Sequence, residues 1–226
     1  MKESRTALGV AWMRALHQVL DCKPLILEDE PIVELLGRYY VEQACKMQAR
    51  FQSPGARLLR SHVVLRSRFT EDRLEQALDR GVEQFVILGA GYDTFFARQP
   101  EWARKLRIFE IDQPGPQAWK RRRLVELGYG IPEWLHLVPV DFEANAPWWE
   151  QLAATGFDPG RPTVIASTGV TMYLTKDATA ATLRRIAGLA PGSTLAMTFL
   201  LPTGLLDDAD RPGLRTSEEG ARAAGT

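Results

Sequence analysis

The sequence predicts an α/β protein in which a Rossmann-like, mostly parallel sheet follows an N-terminal helical cap. Five short apolar runs have the length of strands and are separated by helical or loop segments; they span about 84–88, 107–111, 135–140, 163–167 and 194–200. The first run ends in Gly89-Ala90-Gly91, and the second ends in acidic residues. Strands and helices that alternate at this spacing predict a parallel, doubly wound sheet, with ligands at the carboxyl ends of its strands.

Residues 1–80 carry helical patterns and no strand pattern. Ser4 can cap a first helix with one apolar face, and further helical stretches are expected at 32–36, 40–51, 57–68 and 70–78. Thr70 and the two acidic residues after it suit the start of the last stretch, which Gly81 ends. We therefore predict a helical cap or lid over 1–80, followed by a Rossmann-like core over 81–202.

The composition is that of an ordinary globular protein, with 45% hydrophobic and 25% charged residues. Its 28 basic residues balance 28 acidic ones, so no overall field attracts nucleic acid or an anionic membrane. One basic run, 120–123, would spread its charges around a helix, and we interpret it as a solvated face. The sequence has no signal peptide, no long apolar run and no Cys/His cluster with ligand spacing, so we expect a cytoplasmic protein without a metal.

The stretch 84–112 has the pattern of half a nucleoside-binding βαβ unit. Gly89 and Gly91 allow a sharp turn, so a ligand can lie against the backbone there. Glu110 or Asp112, at the end of the second strand, can accept both hydroxyls of a ribose. This geometry suits NAD, FAD and S-adenosylmethionine alike, and a glycine turn that binds nothing is the alternative.

The residues after the turn favour S-adenosylmethionine over a dinucleotide. Thr94 stands where the dinucleotide fingerprint has its third glycine. Asp93 lies at the start of the following helix, where its carboxylate can cap the helix but would repel a diphosphate. S-adenosylmethionine has no phosphate and carries ammonium and sulfonium charges, so this carboxylate can tolerate it.

Five motifs together carry a resemblance to a known family. They are Ser4-Arg5-Thr6-Ala7, Arg66-Ser67-Arg68-Phe69, Leu88-Gly89-Ala90-Gly91-Tyr92-Asp93-Thr94, Phe109-Glu110-Ile111-Asp112-Gln113-Pro114 and Gly169-Val170-Thr171-Met172-Tyr173-Leu174-Thr175. The chain resembles the leucine carboxyl methyltransferase family over nearly its whole length, and more closely the bacterial branch of S-adenosylmethionine-dependent methyltransferases. The resemblance implies a Rossmann-like methyltransferase with S-adenosylmethionine as its cofactor.

The resemblance also implies which residues bind this cofactor. The glycine turn would hold its methionine part, Asp112 its ribose hydroxyls, and Asp141 with Phe142 its adenine, while Arg68 would reach its carboxylate from the helical cap. Tyr92 directly follows the turn and is expected to lie close by. The expected cofactor-binding residues are therefore Arg68, Gly89, Gly91, Tyr92, Asp93, Asp112, Asp141, Phe142 and Thr168.

Two features depart from the family pattern. Thr168 stands where the family has a glutamate, five residues before Tyr173, and the change removes one expected contact to the donor. Residues 203–226 are small and polar, so we predict a flexible tail. Family members run longer at the C-terminus, and the antiparallel strand pair that normally completes the sheet is expected to be missing.

The predicted function is an S-adenosylmethionine-dependent O-methyltransferase that acts on a carboxylate or a small-molecule hydroxyl. A carboxylate needs no catalytic base because it is ionised at neutral pH, whereas a hydroxyl needs one. Of the histidines, His136 is expected in the core and His62 near the cap. The alternative is a truncated or degenerate relative that binds cofactor or partner without turnover.

An NAD-dependent oxidoreductase is disfavoured, because Lys176 is only three residues after Tyr173 and no Tyr-x-x-x-Lys motif results.

Overall fold

The computed structural model describes residues 4–46, 51–98, 101–142 and 148–209, together with 211, 212 and 219. Its centre is a sheet of five parallel strands in the order β3-β2-β1-β4-β5. The strands are β1 (Gln84–Leu88), β2 (Arg107–Asp112), β3 (Leu135–Pro139), β4 (Thr163–Ser167) and β5 (Thr194–Met197). Each begins where an apolar run predicted it, although β5 ends at Met197 and its predicted run extends to 200; the α/β prediction is confirmed.

Eight α-helices are described around this sheet. They are α1 (Arg5–Leu20), α2 (Glu30–Leu36), α3 (Arg38–Cys45), α4 (Pro54–Leu78), α5 (Phe95–Arg98), α6 (Pro114–Glu126), α7 (Trp148–Ala154) and α8 (Lys176–Ala187). Short 3₁₀ turns occur at Glu101–Ala103, Thr171–Tyr173 and Thr203–Leu205. The described residues contain no antiparallel strand, and most of the predicted tail, 203–226, lies outside them.

Both faces of the sheet are buried, which explains the uninterrupted apolar runs. Successive side chains of a strand point to opposite faces. Phe85 and Ile87 accordingly belong to one apolar cluster, and Val86 and Leu88 belong to a second cluster that includes Leu152. All five residues of β1 are buried.

The N-terminal helices share the first of these clusters with the sheet. Ala11 of α1, Ile32 of α2 and Leu74 of α4 pack in the same cluster as Phe85 and Ile87. The chain therefore has a continuous apolar core across the boundary predicted near Gly81. The division into a cap over 1–80 and a core over 81–202 stays a prediction. No helix in the described part of the chain is long and apolar enough to span a membrane.

Helix α4 is continuous, and the predicted new helix start at Thr70 is wrong. Thr70 is buried, and its hydroxyl donates to the carbonyl oxygen of Arg66, one turn earlier in the same helix, at 2.8 Å. The Thr70 hydroxyl thus forms its hydrogen bond within α4 and does not cap a new helix. A continuous helix fixes which side of α4 each of its arginines occupies.

The basic run at 120–123 is solvated only in part. Arg121 and Arg122 are exposed, but Lys120 is 1% exposed and its Nζ lies 2.5 Å from Oε2 of Glu110, which is fully buried. Burial raises the pKa of Glu110 to about 7, although the charge of Lys120 acts in the opposite direction. Glu110 is therefore engaged in the core, which leaves Asp112 as the ribose candidate of the two acids.

Candidate functional site

A cavity of about 290 Å³ opens at the carboxyl ends of β1, β2 and β4. It lies at the point where the strand order reverses, since β1 pairs with β2 on one side and with β4 on the other. Strand-end residues supply about half of its lining: Gly89–Asp93, Asp112, Gln113, Asp141, Phe142 and Thr168–Val170. Ser4, Ala7 and Arg14 from the α1 region and Arg66 from α4 also line it, so the helical segment forms part of the wall.

The glycine turn has the backbone conformation that the sequence predicts. Gly89 and Gly91 have φ angles of +64° and +51°, which residues with a side chain rarely adopt. A Cβ on Gly89 would lie 2.5 Å from Cγ2 of Val170, and one on Gly91 would lie 3.2 Å from Cβ of Ala7. The side chains of Val170 and Ala7 therefore pack close to the positions that these two missing Cβ atoms would occupy. That a ligand lies against the backbone of this turn stays a prediction.

Asp112 connects the end of β2 to this turn. Its Oδ2 accepts a hydrogen bond from the backbone N–H of Gly91, and its Oδ1 accepts one from the N–H of Gln113 at 2.6 Å. Burial raises the pKa of Asp112, while these two N–H groups and Lys120 act in the opposite direction. Each carboxylate oxygen has two lone pairs, so each retains one acceptor site for a hydroxyl.

Asp93 places a second carboxylate on the cavity wall. Its Oδ1 accepts from the N–H of Phe95, the first residue of α5, at 2.8 Å, and its Oδ2 is 4.0 Å from Nη1 of Arg14. Burial alone would raise the pKa of Asp93, but Arg14, Lys120 and Arg98 lower it overall. The carboxylate is consequently ionised at neutral pH and opposes a diphosphate in this cavity.

The other predicted strand-end residues also border the cavity. Asp141, Phe142 and Thr168 line it, and the ring of Phe142 packs edge-on against Trp148 with 5.7 Å between centroids. Tyr92 borders it too, but this residue is 3% exposed and its ring packs against Trp119 at 4.6 Å.

Arg68, predicted to reach the donor's carboxylate, does not line the cavity. Its side chain is 52% exposed and pairs with Asp72, one turn further along α4, at 2.8 Å. Arg66 lines the cavity instead, and its guanidinium packs against Gly169. A Cβ added to Gly169 would lie 2.5 Å from Nη1 of Arg66. In this structure Arg68 therefore lies away from the cavity, because two residues along a helix rotate a side chain to another face, and its predicted contact to the donor is not supported by its position.

Arg66 has the character of an anion-binding group. Among the described residues, no carboxylate lies within ion-pair distance of its guanidinium. Burial lowers the pKa of Arg66, and the nearby charge of Arg14 acts in the same direction, whereas Tyr173 opposes both. An arginine stays charged despite such shifts, so the cavity contains a cation that can bind an external carboxylate.

No histidine of the described chain lines the cavity. His62 is exposed on α4, and the ring of His136 stacks on Phe109 at 4.7 Å, as expected for a packed residue. The described residues also contain no group of three or more His, Cys, Asp or Glu side chains that could hold a metal ion. The titratable groups of the wall are therefore carboxylates, arginines and the phenols of Tyr92 and Tyr173.

Sequence analysis did not single out Arg14. It is 4% exposed on the buried face of α1, between Ala11 and Ala15, and it donates to groups that follow the glycine turn. The buried residues of α1 also include His17, so no uniformly apolar helix face marked Arg14 in the sequence.

A parallel sheet with this strand order, a glycine turn after β1 and a carboxylate after β2 define a Rossmann-like, nucleoside-binding α/β protein. Residues 7–187 match the family model described as leucine carboxyl methyltransferase. The chain belongs to the leucine carboxyl methyltransferase family, which makes it a methyltransferase whose donor is S-adenosylmethionine.

Individual relatives agree with this family. The chain is 29% identical over 219 residues to the Bacillus subtilis (strain 168) protein named "Putative S-adenosyl-L-methionine-dependent methyltransferase YktD", covering 88% of this chain and 71% of that protein. It is 34% identical over 223 residues to the protein Rv1896c of Mycobacterium tuberculosis (strain ATCC 25618 / H37Rv), which is also named a "putative S-adenosyl-L-methionine-dependent methyltransferase". This match covers 97% of this chain and 71% of that protein.

A solved structure supports the fold. The crystal structure of a "putative methyltransferase" from Thermobifida fusca YX superposes with a TM-score of 0.53 at 24% identity, covering 93% of this chain and 72% of that one. At this identity the likeness concerns the fold alone, and it agrees with the five-stranded sheet described above.

We expect Gly89→Ala to lower the free energy of unfolding by ~1–3 kcal/mol, because alanine is strained at a positive φ and its Cβ would meet Val170. Gly9→Ala is the control, since Gly9 lies in α1 with nothing within 4 Å of an added Cβ and should gain ~0.5–1 kcal/mol. Urea unfolding measures both variants. Equal stability of Gly89→Ala and wild type would contradict the turn conformation.

Proposed function

We propose that the chain transfers the methyl group of S-adenosylmethionine to an oxygen of a small-molecule carboxylate or hydroxyl, and that a carboxylate is the better candidate. The observation that carries this choice is the composition of the cavity wall. Among the described residues the wall has arginines and carboxylates but no imidazole that could serve as a general base. An acceptor that is already ionised at neutral pH needs no such base.

The residues of the wall fit the donor. Asp112, with one acceptor site left on each oxygen, is proposed to accept the two ribose hydroxyls. Asp141 and Phe142, which follow β3, are proposed to border the adenine. Arg66 is proposed to bind the donor's carboxylate, which replaces the assignment to Arg68, and Asp93 offers negative charge toward the donor's cationic groups.

When bound, the donor supplies a methyl group on a positively charged sulfur, which a nucleophilic oxygen displaces in line. The protein's own part is to align the acceptor and to exclude water from the two opposite charges. Such alignment contributes up to ~7–11 kcal/mol in well-oriented systems. Val170 and Leu174 are apolar members of the wall that can exclude water from the reacting atoms.

A hydroxyl acceptor would require a side chain that removes a proton. Burial raises the pKa of Tyr173, so its phenol is protonated at neutral pH and cannot serve as a base. Asp93 and Asp141 are the carboxylates on the wall that could take this role, together with Asp112.

Binding without turnover is the second candidate function, and Thr168 favours it. This residue lines the cavity at the position where the family pattern has a glutamate. A threonine hydroxyl can form hydrogen bonds but cannot supply the negative charge of a glutamate toward a cationic donor. The acceptor experiment below separates this candidate from an active enzyme.

The two arginines of α4 provide a matched test of the donor site. Arg66→Met should raise the dissociation constant of S-adenosylmethionine by about tenfold to a hundredfold, because a charge-assisted hydrogen bond to its carboxylate is lost. Arg68→Met should leave it within about twofold, since the Arg68–Asp72 pair is exposed. Calorimetric titration measures both. Weakening in the Arg68 variant alone would restore the original assignment.

The acceptor class can be identified from the chemistry of the product. With a methyl-labelled donor and matched acids, amides and alcohols, we expect label on the acids as esters, which alkali cleaves to methanol. The rate should be nearly constant between about pH 6 and 9, because the acceptor is ionised throughout.

An alkali-stable product whose formation accelerates with pH would instead favour a hydroxyl acceptor. Tight donor binding with no transfer to any acceptor class would support the candidate that binds without turnover. Thr168→Glu provides the comparison in that case, because a restored glutamate should strengthen donor binding if its loss weakened the site.

A further inference from the structure

We propose that Arg14 is a positioning residue for the donor: from α1 it holds the segment that follows Gly91 and so keeps the donor-binding turn in shape. The proposal rests on the proposed donor site. Arg14 belongs to the helical segment, and its hydrogen bonds go to other groups of the protein.

Arg14 bonds to the segment 92–94 at two points. Its Nη1 donates to the carbonyl oxygen of Tyr92 at 3.3 Å, and its Nη2 donates to the hydroxyl oxygen of Thr94 at 2.6 Å. Between them, Oδ2 of Asp93 lies 4.0 Å from Nη1. One guanidinium therefore faces three consecutive residues after the glycine turn, a pattern that its planar fork of donors permits.

A buried carboxylate fixes the guanidinium in turn. Asp29, between α1 and α2, is fully buried; its Oδ2 accepts from Nη2 of Arg14, and its Oδ1 accepts from the hydroxyl of Thr94 at 2.5 Å. The Asp29 backbone N–H donates to the side chain of Gln18 at 2.8 Å. Arg14, Asp29 and Thr94 thus form a closed triangle of buried hydrogen bonds, which restricts the movement of all three side chains. Nε of Arg98 lies 3.3 Å from Oδ1 of Asp29 and donates to the Thr94 hydroxyl oxygen at 3.4 Å, which adds to this restriction.

The position of this triangle connects it to the donor. Gly91 directly precedes the segment that Arg14 holds, and its N–H donates to Asp112, the proposed ribose ligand. A shift of 92–94 would move Gly91 and release that carboxylate. Since Arg14 also lines the cavity, its loss changes the charge of the wall together with the shape of the turn.

Arg60 is a matched control for a purely structural role. It is 1% exposed, belongs to α4 in the same helical segment and makes a two-point ion pair with Asp21, at 2.8 Å and 2.5 Å. It does not line the cavity. Removing either arginine breaks a buried or partly buried ion pair and lowers stability, but only Arg14 is connected to the glycine turn.

The test compares the affinity of the full chain for S-adenosylhomocysteine by calorimetry, at a temperature where circular dichroism confirms folding. Arg14→Met should weaken binding by about tenfold or more, and Arg60→Met should change it by less than about twofold. Thr94→Val removes the hydroxyl that Arg14 contacts and should weaken binding in the same direction. The double variant Arg14→Met/Thr94→Val should be weakened by less than the product of the single effects, because both act through one contact.

Folded Arg14 and Thr94 variants with wild-type affinity would overturn the proposal, as would equal weakening by Arg60→Met. If Arg14→Met does not fold, the affinity of Thr94→Val for S-adenosylhomocysteine decides: weaker binding than wild type supports the proposal, and wild-type affinity overturns it. Failure of the wild-type chain to bind S-adenosylhomocysteine would instead refute the donor site itself, so the two failures are distinguishable.

Discussion

The hydrogen bond from the backbone N–H of Gly91 to the carboxylate of Asp112 is the contact on which the site depends. It joins the turn after β1 to the end of β2. It forms because these strands are parallel neighbours with Leu88 opposite Ile111, and because the N–H groups of Gly89 and Ala90 donate to the Ile111 carbonyl. The sheet register therefore sets the distance between the proposed methionine and ribose subsites.

Much of this arrangement could be predicted from local sequence. The apolar runs at 84–88 and 163–167 coincide with β1 and β4, because a strand buried on both faces leaves an uninterrupted apolar signal. The topological rule for parallel sheets then identified the strand-end residues that line the cavity. Ser4 also caps α1 as predicted, since its hydroxyl accepts from the N–H of Ala7 at 3.3 Å.

What local sequence could not supply was the direction of side chains on long helices. The sequence does not decide whether Arg66 or Arg68 faces the cavity until the continuity of α4 is known. The polar residues that begin at Thr70 predicted a helix boundary that the structure does not have. Likewise, a basic run gives no sign that Lys120 meets Glu110 in the core. Arg14 depends on contacts to residues about 80 positions away, which no local pattern records. These contacts make the N-terminal helices part of the site wall.

Calorimetric titration of the wild-type chain and Asp112→Asn with S-adenosylhomocysteine and NAD tests the central claim most directly. The account predicts that the wild type binds S-adenosylhomocysteine and not NAD, and that the amide variant loses about tenfold to a hundredfold in affinity, because the ribose hydroxyls lose a charged acceptor. Binding of NAD in this cavity, or unchanged affinity in a folded Asp112→Asn chain, would contradict it.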